Sequence, residues 1–282
     1  MDFSNSSCID EFATIPARSA EHHNSLTSTA DLLKPVASSE RRYDLVKRVL
    51  DLFAGSLLFV LALPVIVVGW SLVRATSAGA GIYTQTRVGL GGRYFLIYKL
   101  RTMAHNCEAT TGGAKWSTAG DTRVTPVGRI FRKLHIDELP QLWNVIIGDM
   151  SLVGPRPERP EFVKPLSLSI PNYTRRLAVR PGVTGLAQIQ LPPDTNLESV
   201  CQKVVMDRCY IDNRGLCLDL RIIVGTAIYL VGFSYVRVRR LLALPSPIGF
   251  PSKQIAYTVP FQTASTKSPE ESLAASGSSI NS

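Results

Sequence analysis

The chain has 282 residues, 45 % of them hydrophobic, and a formal net charge of +9 from 31 Lys and Arg against 22 Asp and Glu. A positive balance of this size suits nucleic acid, an anionic membrane face or phosphorylated substrates. Nucleic acid is disfavoured, because the basic residues flank long apolar segments and no zinc-finger or RRM-like signature is present. Five cysteines (Cys8, Cys107, Cys201, Cys209 and Cys217), odd in number and without a CxxC pair, argue against a disulfide framework and for a reducing compartment.

Residues 1–40 are rich in Ser, Thr, Asn and Ala, and residues 246–282 read the same way. Neither stretch has enough large apolar side chains to offset its ordering entropy, so both are expected to be disordered. The folded body is expected over 41–245, a typical size for one domain.

Residues 52–73 run LFAGSLLFVLALPVIVVGWSLV without a charge. That is long enough to cross a bilayer core as a helix, and a membrane helix is expected over about 48–74. The polar arm ahead of it argues against a cleaved signal peptide. Pro64 removes a helical hydrogen bond in the middle of the run and predicts a sharp bend. Both flanks are basic: Arg41, Arg42, Lys47 and Arg48 before, Arg74, Arg87 and Arg93 after. A spanning helix biases Lys and Arg to one side, so a re-entrant helix broken at Pro64 is favoured over a simple span. A second apolar stretch, 222–236, ends in Arg237, Arg239 and Arg240 and reads as an interfacial helix, with a core helix as the alternative.

Between these segments, residues 81–103 place aromatic and β-branched residues around Gly89-Leu90-Gly91-Gly92, a β-hairpin pattern. Lys99 and Arg101 alternate on its second strand and so are expected on one face, where two cations can clamp phosphate. A turn over 121–125 precedes a helix over about 127–135, whose apolar face is Val127, Ile130, Phe131 and Leu134. The next helix is expected to start at Asp137-Glu138-Leu139-Pro140, with Asp137 near the N-cap and Pro140 in the first turn. A helix N-terminus favours anions and an ionised carboxylate. Such a carboxylate can attack a phosphoryl group, while an adjacent one binds Mg²⁺ beside substrate phosphates. Plain helix capping is the alternative for Asp137. In Gly154-Pro155-Arg156-Pro157 two prolines fix the backbone and present one guanidinium, a pattern suited to phosphate or carboxylate recognition. Asp207, Asp212 and Asp219 read individually as caps or surface residues.

The ordered set of motifs resembles the bacterial sugar transferase family, the monotopic phosphoglycosyl transferases, in its exopolysaccharide-initiating branch. The matching strings span about 44–236: Lys47-Arg48-x-x-Asp51, Gln85-x-Arg87-x-Gly89, Lys99-x-Arg101-Thr102-Met103, Asp137-Glu138-Leu139-Pro140-Gln141-Leu142-x-Asn144-Val145, Gly148-Asp149-Met150-Ser151-x-Val153-Gly154-Pro155-Arg156-Pro157, and Arg180-Pro181-Gly182-x-Thr184-Gly185-x-Ala187-Gln188. The resemblance implies an α+β fold: a small membrane-associated catalytic domain with an N-terminal re-entrant membrane helix and interfacial amphipathic helices. It implies transfer of a sugar-1-phosphate from a UDP-sugar to polyprenyl (undecaprenyl) phosphate with release of UMP. Asp137 would attack and carry the phosphosugar; Glu138 would bind Mg²⁺; Lys99, Arg132 and Arg156 would support phosphates, with Asp219 a further functional aspartate and Asp207 a weaker one.

The implied setting is the bilayer of the bacterial inner (cytoplasmic) membrane, with the site on its cytoplasmic face; a homo-oligomer is compatible with the sequence. Some positions depart from the family pattern. Gln190 is followed by Leu191-Pro192-Pro193 rather than an Asn-Gly-Arg stretch, Cys209 replaces an aromatic residue, and Arg214-Gly215 replaces a Trp/Ser-like pair. The first leaves the choice of sugar, galactose or glucose, without an arginine on the substrate side. Two other readings are a glycosidase, disfavoured because its two carboxylates straddle the sugar about 5 Å or more apart, and a non-catalytic membrane scaffold of the same fold.

Overall fold

The computed structural model describes residues 38–105, 107, 120–192 and 197–245. The two ends expected to be disordered lie, apart from residues 38–40, outside the described residues. Helix α1 (Ser38–Thr76) is followed by an antiparallel hairpin, β1 (Ile82–Val88) and β2 (Tyr94–Leu100). Next come α2 (Pro126–Leu134), a 3-10 turn (Ile136–Glu138), α3 (Gln141–Ile147), β3 (Ser151–Val153) and α4 (Pro160–Ser169). A second 3-10 segment (Tyr173–Ala178), β4 (Gly182–Thr184), α5 (Leu197–Asp212), α6 (Leu216–Leu230) and α7 (Tyr235–Leu241) follow among the described residues. The architecture is mixed helix and sheet, as expected.

The hairpin forms where the sequence places it. Its connection needs left-handed backbone at two successive positions, and Gly91 (φ 61°) and Gly92 (φ 78°) supply it without a Cβ penalty. Strands β3 and β4 pair in parallel, Ser151 with Gly182 and Val153 with Thr184. This pairing sets the Gly154–Pro157 loop beside the Pro/Gly-rich motif around Gly182. The main core gathers Ile97, Val145, Val153, Met206 and Ile222 from β2, α3, β3, α5 and α6, with Met150 just ahead of β3.

Helix α1 is the long apolar element, with a mean hydropathy of 2.6 over its most apolar 18-residue window, only 17 % of which is buried. Pro64 lies inside it, yet the helix continues through that position from Ser38 to Thr76. The expected break is therefore not an interruption of the helix. One stripe of α1 packs on the domain both before and after Pro64. Arg48 donates to the carbonyls of Val145 (2.7 Å) and Ile146 (2.9 Å), closing the C-terminus of α3, and Asp51 accepts the Leu152 amide at 3.1 Å. Beyond Pro64, Ile66 and Val73 join Leu100 and Phe131 in a second core cluster.

The stretch 222–236 is not one helix. It divides at Gly232, which takes φ 100° after α6 and turns the chain into α7. Leu218, Ile222 and Gly225 of α6 are buried, while Leu220 (61 %) and Leu230 (53 %) stay exposed, so one face of α6 belongs to the core and the other is apolar and exposed.

Candidate active site

Three local features converge on Asp137 and Glu138. Helix α2 begins at Thr125, whose hydroxyl accepts the Gly128 amide at 3.0 Å. It passes so close to the Thr102 carbonyl that a Cβ on Gly128 would collide with it. The helix ends at His135, in left-handed conformation at φ 54°, and the chain turns directly into the 3-10 segment carrying Asp137 and Glu138. Thus Asp137 is not the N-cap of α3. That position belongs to Pro140, and α3 starts at Gln141. The reason is local: His135 restarts the chain as a 3-10 turn, so Asp137 is presented one turn ahead of the α-helix.

Asn144 then fixes the opposite wall. It is fully buried in α3, accepts the Tyr98 amide at 3.1 Å and donates to the Leu96 carbonyl at 2.7 Å. The edge of β2 not paired with β1 is thereby clamped to α3, and the next residue of the strand, Lys99, reaches Glu138 with Nζ 2.7 Å from Oε1. From the other side Arg156 forms a bidentate pair, Nη1 to Oε2 at 3.2 Å and Nη2 to Oε1. Arg132 is held by its Nε–H bond to the Thr102 hydroxyl at 2.9 Å and acts on Asp137 electrostatically.

The two neighbouring carboxylates are driven apart. Burial works to raise the Glu138 carboxyl, but Arg156 and Lys99 outweigh it and hold that group well below the usual carboxylate range. Burial also raises the Asp137 carboxyl, and Glu138 adds to the shift against the pull of Lys99, Arg132 and Arg156. Asp137 is thus the more easily protonated of the pair, which departs from the expectation that a helix end alone keeps it ionised. Burial lowers the Lys99 ammonium, with Glu138 opposing.

Two sequence candidates stand elsewhere. Arg101 does not join Lys99 at Glu138: just past the end of β2 at Leu100, its Nη2 donates to the Ser77 carbonyl at 2.9 Å. Asp219 accepts from Tyr43 (2.9 Å), Lys47 (2.8 Å) and Tyr210 (2.8 Å), tying the start of α1 to α5 and α6. Sequence reasoning assigned no role to Asn144, Thr102 or Arg176. The first two lie inside matched motifs, but their roles arise only from contacts to residues 30 or more positions away.

A family model described as bacterial sugar transferase matches residues 42–232. The chain belongs to the bacterial sugar transferase family. It is 45 % identical over 185 residues to the UDP-glucose:undecaprenyl-phosphate glucose-1-phosphate transferase of Caulobacter vibrioides, covering 65 % of this chain and 68 % of that one. It is 42 % identical over 184 residues to the UDP-N-acetylgalactosamine-undecaprenyl-phosphate N-acetylgalactosaminephosphotransferase of Aeromonas hydrophila, covering 65 % of this chain but only 43 % of that one. Exopolysaccharide production protein PSS of Rhizobium leguminosarum is 36 % identical over 192 residues, 95 % of its length. These relatives mark a family of phosphoglycosyl transferases, and the exposed apolar helix α1 suggests association with a membrane.

Proposed function

We propose that this bacterial sugar transferase moves a sugar-1-phosphate from a UDP-sugar to undecaprenyl phosphate, as an early membrane step of exopolysaccharide or related glycan synthesis. The observation that carries the reading is the convergence of Asp137 and Glu138 with Lys99, Arg132 and Arg156 in one partly buried site. Two of the named relatives carry UDP-glucose and UDP-N-acetylgalactosamine in their names, so the UDP portion is what those donors share.

In the proposed first step an oxygen of ionised Asp137 bonds to the β-phosphorus of the donor. The bond from that phosphorus to the bridging oxygen breaks, and UMP leaves with the electron pair. In the second step a phosphate oxygen of the lipid attacks the same phosphorus and Asp137 departs as a carboxylate, leaving a diphosphate-linked sugar. Lys99, Arg132 and Arg156 hold the phosphoryl oxygens, and their fixed positive charge offsets the negative charge that builds during transfer.

Among the described residues no cluster of three or more His, Cys, Asp and Glu offers a complete metal cage. Two adjacent carboxylates do fit Mg²⁺ held partly by substrate phosphates. Glu138, kept ionised, with Asp137 beside it, would hold that ion, which supplies charge neutralisation on the diphosphate.

We propose a re-entrant arrangement at the cytoplasmic face of the inner membrane, from the basic flanks of the apolar run and from the packing of the domain on both halves of α1. A straight span would carry the domain, which packs on α1 through Arg48 and Asp51 before Pro64 and through Leu100 and Phe131 after it, into the bilayer together with its polar groups, at large desolvation cost. Labelling cysteines placed at Arg42 and Arg74 should give the same sidedness; opposite sidedness refutes this arrangement.

Mass spectrometry of the protein mixed with UDP-sugar and no lipid tests the chemistry. A phosphosugar adduct on the peptide carrying Asp137, absent in Asp137→Asn, is expected. Normal turnover by Asp137→Asn would overturn the mechanism. A scaffold without catalysis predicts no UMP from the wild-type protein.

A further inference from the structure

Behind the Glu138 pair lies a buried arginine that the proposed chemistry does not use. Arg176, in the 3-10 segment Tyr173–Ala178, has a side chain only 3 % exposed. Its Nη2 donates to the backbone carbonyl of Arg156 at 2.9 Å and sits 2.8 Å from Asp207 Oδ2 on α5. Its Nη1 donates to the Tyr173 hydroxyl at 3.0 Å, and Glu158 lies 3.8 Å away.

The consequence is visible along the loop. Four consecutive carbonyls are pinned by four separate donors. Pro155 accepts from the Gly182 amide (2.9 Å) and Arg156 from Arg176. Pro157 accepts from Arg87 Nη1 (3.1 Å) and Glu158 from the Val88 amide (3.0 Å). The Arg156 side chain leaves this pinned backbone to reach Glu138. Burying an ion pair such as Arg176–Asp207 gains little stability over apolar side chains of similar volume. What an apolar pair could not supply is a directed donor on the Arg156 carbonyl.

We propose that Arg176, oriented by Asp207, is a positioning residue that aims the Arg156 guanidinium at the phosphate site. The proposal rests on the role given to Arg156 under the proposed function. It predicts that Arg176 acts through Arg156 and through no other group in the site.

The test is a double-mutant cycle on the full chain, reading UMP release from UDP-sugar and undecaprenyl phosphate. Arg176→Met combined with Asp207→Leu removes the charge pair without stranding either partner. In the Arg156 background it should lower kcat/KM for the donor by about 10-fold or more, the scale of one charge-assisted hydrogen bond. KM for the lipid should be unchanged. In an Arg156→Ala background the same pair should cost less than about 3-fold, since coupled residues are not additive. Arg176→Lys keeps Asp207 paired but loses the second donor; it should retain the melting temperature and show the same donor defect. Equal losses in both backgrounds would make Arg176 merely structural and overturn the proposal, as would full activity of the Arg176 variants beside an impaired Arg156→Ala.

Hydrogen exchange gives an arm independent of turnover. The Val88 and Gly182 amides should exchange faster in Arg176→Lys while the core helices keep their protection. If Arg156→Ala is fully active, or the wild-type protein releases no UMP, the functional reading of Arg156 falls, and unchanged exchange at those two amides then overturns the positioning role separately.

Discussion

Replacing Asn144 with Leu removes the clamp between β2 and α3 and leaves two backbone groups to account for. The Tyr98 amide faces α3 and is half-buried, so losing its acceptor costs about 2 kcal/mol, within the range for a stranded buried donor. The Leu96 carbonyl belongs to an exposed residue that water can reach, so about 1 kcal/mol is assigned to it. The expected loss is about 3 kcal/mol, or about 6–12 °C in melting temperature for a domain of this size. Because Lys99 follows Tyr98 directly, the strand should shift and loosen the Lys99–Glu138 pair, lowering kcat/KM about 10-fold or more. Thermal unfolding in detergent and UMP release together make the assay. A stability change under about 1 kcal/mol would refute the claim that Asn144 holds the strand. A large stability loss with unchanged kinetics at a permissive temperature would refute the link from strand to site.

In the proposed mechanism Asp137 attacks as the ionised carboxylate, and its carboxyl is raised, so the acid limb of kcat/KM for the donor should lie above the ordinary Asp value of 3.8. Removing the neighbouring anion with Glu138→Gln should move that limb to lower pH, and removing a cation with Lys99→Met should move it to higher pH; the reverse order in a pH–rate profile would contradict the charge assignment. Gly128→Ala should destabilise the protein by about 1–3 kcal/mol, the scale of overpacking, because the new methyl meets a backbone carbonyl rather than a movable side chain. Chemical denaturation measures it, and a neutral result would show that α2 can shift away from Thr102.

The hairpin was readable because alternation and a glycine-rich turn are local signals, and the Asp137-Glu138 segment because motif order survives without coordinates. Arg101 shows the limit of a local pattern: alternation set it beside Lys99, but its guanidinium bonds the Ser77 carbonyl 24 positions away and not Glu138, a contact no window of neighbouring residues contains. The division at Gly232 was available in principle, since a glycine closing an apolar helix is a stop signal. The apolar residues beyond it masked that signal in the sequence. The pairing of Arg176 with Asp207, the latter only a weak candidate by resemblance, was illegible for another reason. They stand 31 positions apart, and each alone resembles an ordinary surface charge until the fold buries both together.

Charge balance in the site leads to one more expectation. Glu138 is paired with Lys99 and Arg156, two of the three cations proposed to hold the donor's phosphates. Three cations, counting Arg132, face two carboxylates, so the site carries about one net positive charge when Asp137 is ionised. A diphosphate brings about two negative charges and reverses that sign, which would discourage attack by an anionic carboxylate in a poorly solvated site. With a divalent cation bound, the charge would balance again, and Glu138, relieved of Lys99 and Arg156, would be the residue to hold it. Excess EDTA should therefore abolish UMP release, and added Mg²⁺ should restore it. In Glu138→Gln the concentration of Mg²⁺ needed for half-maximal rate should rise by about 10-fold or more, since a charged ligand has become a neutral one. Turnover that persists in excess EDTA would refute the assignment, and so would an unchanged Mg²⁺ requirement in Glu138→Gln.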